Sequence, residues 1–120
     1  MKRIYIAGPL TGLPIEYLRN CKMMERAAAT LIVLGYAPFV PSLDREIFLA
    51  LDGEEEITVE MIKNYSMTWL KMCDAVLLMP GWERSKGTLA EIEEAKRRKI
   101  PIYDTINDLQ EGLPSWAAMT

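Results

Sequence analysis

The chain has 120 residues, half of them hydrophobic and 26% charged, with a formal net charge of −3 and a pI near 5.0. That length suits one domain with a real core, that composition an ordinary globular protein, and the acidic balance argues against a nucleic-acid partner, which needs a basic face. Histidine is absent, which removes Ser-His-Asp and Cys-His nucleophile pairs together with the commonest zinc ligand.

The apolar run after Met1-Lys2-Arg3 is too short for a signal peptide, and no stretch approaches the roughly 20 apolar residues of a membrane span. Cys21 and Cys73 sit in apolar contexts without CxxC spacing, the pattern of buried thiols in a reducing cytoplasm. Neither GxxxxGK[ST] nor GxGxxG occurs. Proton chemistry must therefore run on carboxylates, tyrosine, lysine or water, with no metal site and no cofactor expected.

Residues 3–7 (RIYIA) read as a buried strand stopped by Gly8-Pro9. Residues 14–34 carry a helical pattern, with Pro14 suited to a first turn and Gly35 to a C-terminal stop. Residues 36–40 form a second short strand closed by Pro41. Residues 44–56, an apolar turn followed by the acidic run DGEEE, are expected as a mobile surface loop. Residues 58–72 are helical with Thr58 as N-cap, 74–79 (DAVLLM) a third strand, 85–99 a helix and 100–103 a fourth strand. Short helix and irregular structure follow from Thr105.

Strands alternating with helices imply βαβ units, a parallel sheet and right-handed crossovers. The expected fold is a Rossmann/flavodoxin-like three-layer α/β sandwich with four or five parallel strands, a single domain over residues 1–120. Ligands of such sheets bind beyond the carboxyl ends of the strands, where strand order switches. AGPLTG after the first strand and PGWERSKGT after the third fall at that edge, which makes Gly8, Pro9 and Trp82 candidate ligand contacts. A glycine turn after a strand can equally be only a turn.

The helix over residues 85–99 holds an unexplained carboxylate. Glu93 has Arg97 four residues on and Glu94 has Arg98, the favourable orientation for surface ion pairs. Glu91 has Gly87 four residues before it and Ala95 four after, and shares that side with Thr88. Small neighbours leave room for a ligand to approach, and the helix N-terminal dipole would favour the ionised form that a nucleophile needs. A solvated surface glutamate is the alternative.

The ordered motifs IYIAGP (residues 4–9), WLKMCDAVLLMPGW (69–82) and SKGTLAEIEEA (85–95) make the chain resemble the nucleoside 2-deoxyribosyltransferase-like family, which includes the 2'-deoxynucleoside 5'-phosphate N-hydrolases. The match covers nearly the whole chain and is closer still to a small branch carrying GPMTG early and PGWE-SKG later. The resemblance implies that Glu91, the last residue of S-x-G-x-x-x-E, is a nucleophile that traps an oxocarbenium-like sugar as a covalent ester. It implies that Tyr5 orients Glu91, although a core tyrosine would look the same in the sequence. Family members acting on free nucleosides have aspartate where this chain has Ser85; serine there goes with 5'-monophosphates, because an anion would repel phosphate. Ser85, Gly87 and the first helical amides would then cradle the phosphate, while Ser85 also suits an N-cap. A serine near the C-terminus of a partner subunit touches the phosphate in the hydrolases, which points to Ser115 and to a homodimer, with residues 47–51 and Trp116 as its apolar surfaces.

One position departs from the family. The aspartate that serves the leaving base, eight residues before Asp74, is Ser66 here, and serine is no general acid near neutral pH. Asp44 or Glu60 could replace it; otherwise the chain is a nucleotide-binding module without efficient cleavage. Asp74 itself is expected to have a structural role at the strand start.

Overall fold

Four consecutive residues of the first strand, Ile4, Tyr5, Ile6 and Ala7, are buried, so this strand is covered on both faces, as parallel sheets require of central strands. The structure, a computed structural model, describes residues 1–115. In chain order it comprises β1 (Arg3–Ala7), α1 (Pro14–Val33), β2 (Ala37–Phe39), α2 (Asp44–Leu49), α3 (Val59–Leu70), β3 (Ala75–Leu78), α4 (Lys86–Arg97), β4 (Ile102–Tyr103) and α5 (Ile106–Gly112). Single 3-10 turns lie at Pro41–Leu43 and Trp82–Arg84. The strands pair in parallel in the order β2-β1-β3-β4. This is the expected three-layer α/β arrangement, with four strands.

The two-residue period of the strands sorts the core into two layers. Ile4, Ile6, Ala75 and Leu77 pack with Met24, Ala28 and Leu31 of α1 and Leu109 of α5. Tyr5, Ala7, Val76 and Leu78 pack on the other face with Leu70 of α3 and Ile92 and Ala95 of α4. The ends of the elements follow local chemistry. Pro14 opens α1, and Gly35, at φ 93°, takes the left-handed conformation just beyond it. Thr58 accepts from the Met61 amide at the start of α3. Asp74 accepts the Arg3 backbone N–H at 2.7 Å, tying the start of β3 to β1 as a structural residue.

Three expectations need correction. Residues 44–49 are helix, not loop, because the turn Pro41–Leu43 feeds directly into α2 and places Asp44 and Glu46 in its first turn, where the helix dipole favours acidic groups. β2 is shorter than residues 36–40. It is an edge strand containing Pro38, which has no N–H to give to a ladder. β4 is shorter than residues 100–103, since Pro101 precedes it. Among the described residues no helix is long and apolar enough to cross a membrane.

β1 and β3 are neighbours, yet the chain visits β2 between them on the opposite side. The switch in strand order thus lies between the carboxyl ends of β1 and β3. There the Met79 amide donates to the Ala7 carbonyl at 2.8 Å, and a Cβ added to Gly8 would sit 2.7 Å from the Met79 Cβ. Because that neighbour is anchored to the backbone, Gly8→Ala should force the two strand ends apart and cost roughly 1–3 kcal/mol. Urea denaturation checks this; a variant as stable as wild type would show that the strand ends part freely.

Candidate active site

A tyrosine on the inner face of a central strand carries its hydroxyl into the protein, where it must find a partner. Tyr5 has no solvent exposure and points from β1 toward α3 and α4. Helix α4 begins after Ser85, whose side chain accepts the Thr88 amide at 3.2 Å and the Thr88 hydroxyl at 2.9 Å. That start sets the rotation of the helix: Thr88 and Ala95 are buried, and Glu91, on their side in the second turn, faces the sheet. The Tyr5 hydroxyl donates to Glu91 Oε2.

Aromatic side chains wall this pair. Phe39, opposite Tyr5 in the strand register, stacks on it with centroids 5.2 Å apart. Trp69 stacks on Phe39 at 5.7 Å, and Tyr65 meets Phe39 tilted at 6.1 Å. Tyr65 and Trp69 keep 37% and 46% of their surface exposed, so the wall is open to an incoming ring. Ser66, beside Tyr65 on α3, is near enough to the Tyr5 hydroxyl to lower its pKa against the larger effects that raise it. Trp82 and Met67 pack against the same cluster. Sequence reasoning missed Phe39, Tyr65 and Trp69 as site residues; the available signal was the four-residue spacing of the last two, which puts them on one helix face.

Burial raises the pKa of Glu91 from an ordinary 4.5 to about 7, and the hydrogen bond from Tyr5 offsets part of the rise. The expectation that the helix dipole would hold Glu91 ionised is therefore corrected. The dipole acts within the first turn, Glu91 is in the second, and desolvation wins. Tyr5 is pushed well above the ordinary phenol range by burial first and by the charge of Glu91 second, with Ser66 opposing; it stays a donor. Burial also raises Asp44. Further along α4, Glu94 binds Arg97 and Arg98, each at 2.7 Å, and those hydrogen bonds lower its pKa to about 2. Arg97 thus turns to Glu94, not to the expected Glu93.

A cleft of about 490 Å³ opens between the loops after β1 and β3, lined by Pro9, Thr11, Glu16, Asn20, Pro80, Gly81, Arg84 and Ser85. Pro9 and Ser85 were read as candidates; Arg84, a cation beside Ser85, was not. Gly87 is exposed, with open space where a Cβ would be. Gly8 packs against Met79 below the loops. Ser115 is 2% exposed and donates to the Leu34 carbonyl at 2.6 Å, at the far end of α1. Its own chain does not bring it to Glu91. Glu60 is exposed in the first turn of α3. Trp116 lies outside the described residues.

A family model described as a domain of unknown function, DUF4406, matches residues 2–104. The sequence matches no curated protein. Similar solved structures include a conserved protein from Enterococcus faecalis V583 at 21% identity and TM-score 0.58, over 85% of this chain and 61% of that one. A 2-deoxyribosyltransferase from Bacillus psychrosaccharolyticus is similar at 20% identity and TM-score 0.58, over 83% and 69% of the two chains. One from Leishmania mexicana is similar at 21% identity and TM-score 0.58, over 85% and 62%. The likeness is one of fold, and the chain spans only 61% to 69% of the length of these structures.

The Glu91 environment has a consequence for stability that is independent of any activity. Its folded pKa, about 7, lies above the ordinary 4.5, so folding favours the neutral form; that contribution is whole below pH 4.5 and is lost as pH rises through 7. Glu91→Gln is neutral at every pH. It should match wild type near pH 4 and exceed it at pH 8 by on the order of 3 kcal/mol. Urea midpoints of the two proteins across that range give the difference, and a gap that does not change with pH would contradict the assignment.

Proposed function

The chain belongs to the DUF4406 family, and we propose that it cleaves or transfers the N-glycosidic bond of (deoxy)nucleoside 5'-monophosphates through a covalent glycosyl ester on Glu91. The observation that carries this reading is the Tyr5–Glu91 hydrogen bond beside a partly open aromatic wall. The names of two structural neighbours, both 2-deoxyribosyltransferases, support the same chemistry.

Each part of the site has a task in that chemistry. The base lies against Phe39 and Trp69, which offer a flat face. Glu91, with a pKa of about 7, is substantially ionised at neutral pH and attacks the anomeric carbon as the bond to the base breaks. Tyr5 holds the carboxylate in line and steadies its charge. Water then releases the sugar phosphate, or a second base takes it. The phosphate lies against the first amides of α4 with Ser85 and Gly87, and Arg84 adds the positive charge that suits a dianion. Ser66 favours a second reading: a serine at the Tyr5 hydroxyl, where the resembling family has an acid, leaves a nucleotide-binding module that cleaves poorly.

Chromatographic assay of free base separates the two. On the first reading wild type releases base, Glu91→Gln abolishes release while nucleotide affinity is nearly kept, and Glu93→Gln changes neither. Equal losses from both substitutions would mean that α4 responds to charge in general. On the second, nucleotide raises the melting temperature of wild type and no base appears.

A two-fold dimer belongs to this proposal; Ser115, buried against the Leu34 carbonyl of its own chain, would have to leave that bond to reach the partner's phosphate. Ile47, Phe48 and Leu49 of α2 are exposed and would supply apolar surface. Light scattering at high micromolar concentration should give twice the chain mass. A monomer there removes both the dimer and the role of Ser115.

A further inference from the structure

We propose that Asp44 is the acid that protonates the departing base, in the place left by Ser66; the proposal rests on the glycosidic reading above. Glu60, the other candidate, is exposed on the first turn of α3. Asp44 is different. It stands five residues beyond Phe39, where β2 has ended and the turn Pro41–Leu43 delivers the chain into α2. Phe39 is the register partner of Tyr5, so this turn brings Asp44 over the carboxyl end of the strand beside β1. The Asp44 charge is felt by the hydroxyls of both Tyr5 and Tyr65, two side chains that meet Phe39 from different elements. Asp44 therefore acts electrostatically on the tyrosines of the aromatic wall from just beyond the carboxyl end of β2.

Its chemical state also fits. Arg45 pairs with Glu46 at 3.6 Å, and the Asp44 carboxyl makes no ion pair or hydrogen bond among the described residues. The start of α2 would favour its ionised form, yet burial raises its pKa, the direction an acid working near neutrality needs. As the bond from the anomeric carbon to the base nitrogen breaks, its electron pair goes to the base and the Asp44 proton joins it. A Glu91 oxygen forms the new bond to carbon. When water attacks that carbon in turn, its proton goes to Asp44, its oxygen stays on the sugar, and Glu91 leaves as carboxylate. Both carboxyl groups return to their starting states.

The experiment compares a natural deoxynucleoside monophosphate with a nitrophenyl 2-deoxyriboside 5-phosphate, whose leaving group needs no proton. Asp44→Asn should lower kcat/KM on the nucleotide by about 10²–10⁴-fold and on the nitrophenyl substrate by less than about threefold. Asp44→Ser should show the same split, and Ser66→Asp added to Asp44→Asn should recover the nucleotide rate. Glu60→Gln should be silent. Equal loss on both substrates, or no loss on either, overturns the role of Asp44 while leaving the Glu91 chemistry standing. A wild-type protein that cleaves neither substrate overturns the glycosidic reading and this proposal together.

Discussion

The hydrogen bond between Tyr5 and Glu91 answers a problem that the sheet itself creates. β1 is flanked by strands on both sides and covered by helices on both faces, so its Tyr5 cannot reach water. An orphaned hydroxyl there would cost roughly 1–3 kcal/mol. A lone carboxylate buried from the other side would be worse off still. Each group supplies what the other lacks, and the register of α4 is set by the capping serine that lets them meet.

Two glutamates of α4 show how far environment alone can move one side-chain type. Glu91 and Glu94 lie three residues apart on the same helix. One faces the sheet and is raised to about 7 by loss of water; the other lies between two arginines and falls to about 2. Only the first can change its charge near neutrality. Chemistry near neutrality needs such a group, whereas a surface ion pair gains from the opposite extreme and contributes little to stability.

The aromatic wall has the same double character. Phe39 is held between Tyr5 and Trp69 by stacking, which completes the packing of the face beneath α3. Tyr65 and Trp69 nevertheless leave much of their surface in solvent. Large rings left open to solvent are where an apolar, planar ligand would gain most from leaving water.

Local pattern carried a good part of this structure. The alternation in RIYIA placed Tyr5 opposite Ile4 and Ile6, the turn glycines and prolines bounded α1, and Thr58, Ser85 and Asp74 took the structural positions their chemistry suits. Small neighbours at Gly87 and Ala95 marked the side of α4 on which Glu91 lies. These features depend on residues within one or two turns of each other, and a sequence displays them directly. Tertiary structure decided the rest. The pKa of Glu91 is governed by burial that no spacing reveals, Arg97 chose Glu94 over Glu93, and α2 formed in a segment that its apolar turn and the acidic run beyond it had suggested was a loop. Phe39, Tyr65 and Trp69 gather beside Tyr5 from two separate segments. Their meeting depends on strand order and on the path of the crossovers, which bring together residues that are distant along the chain. Water exclusion at that meeting point, and so the charge state of the site, exists only once the layers have closed.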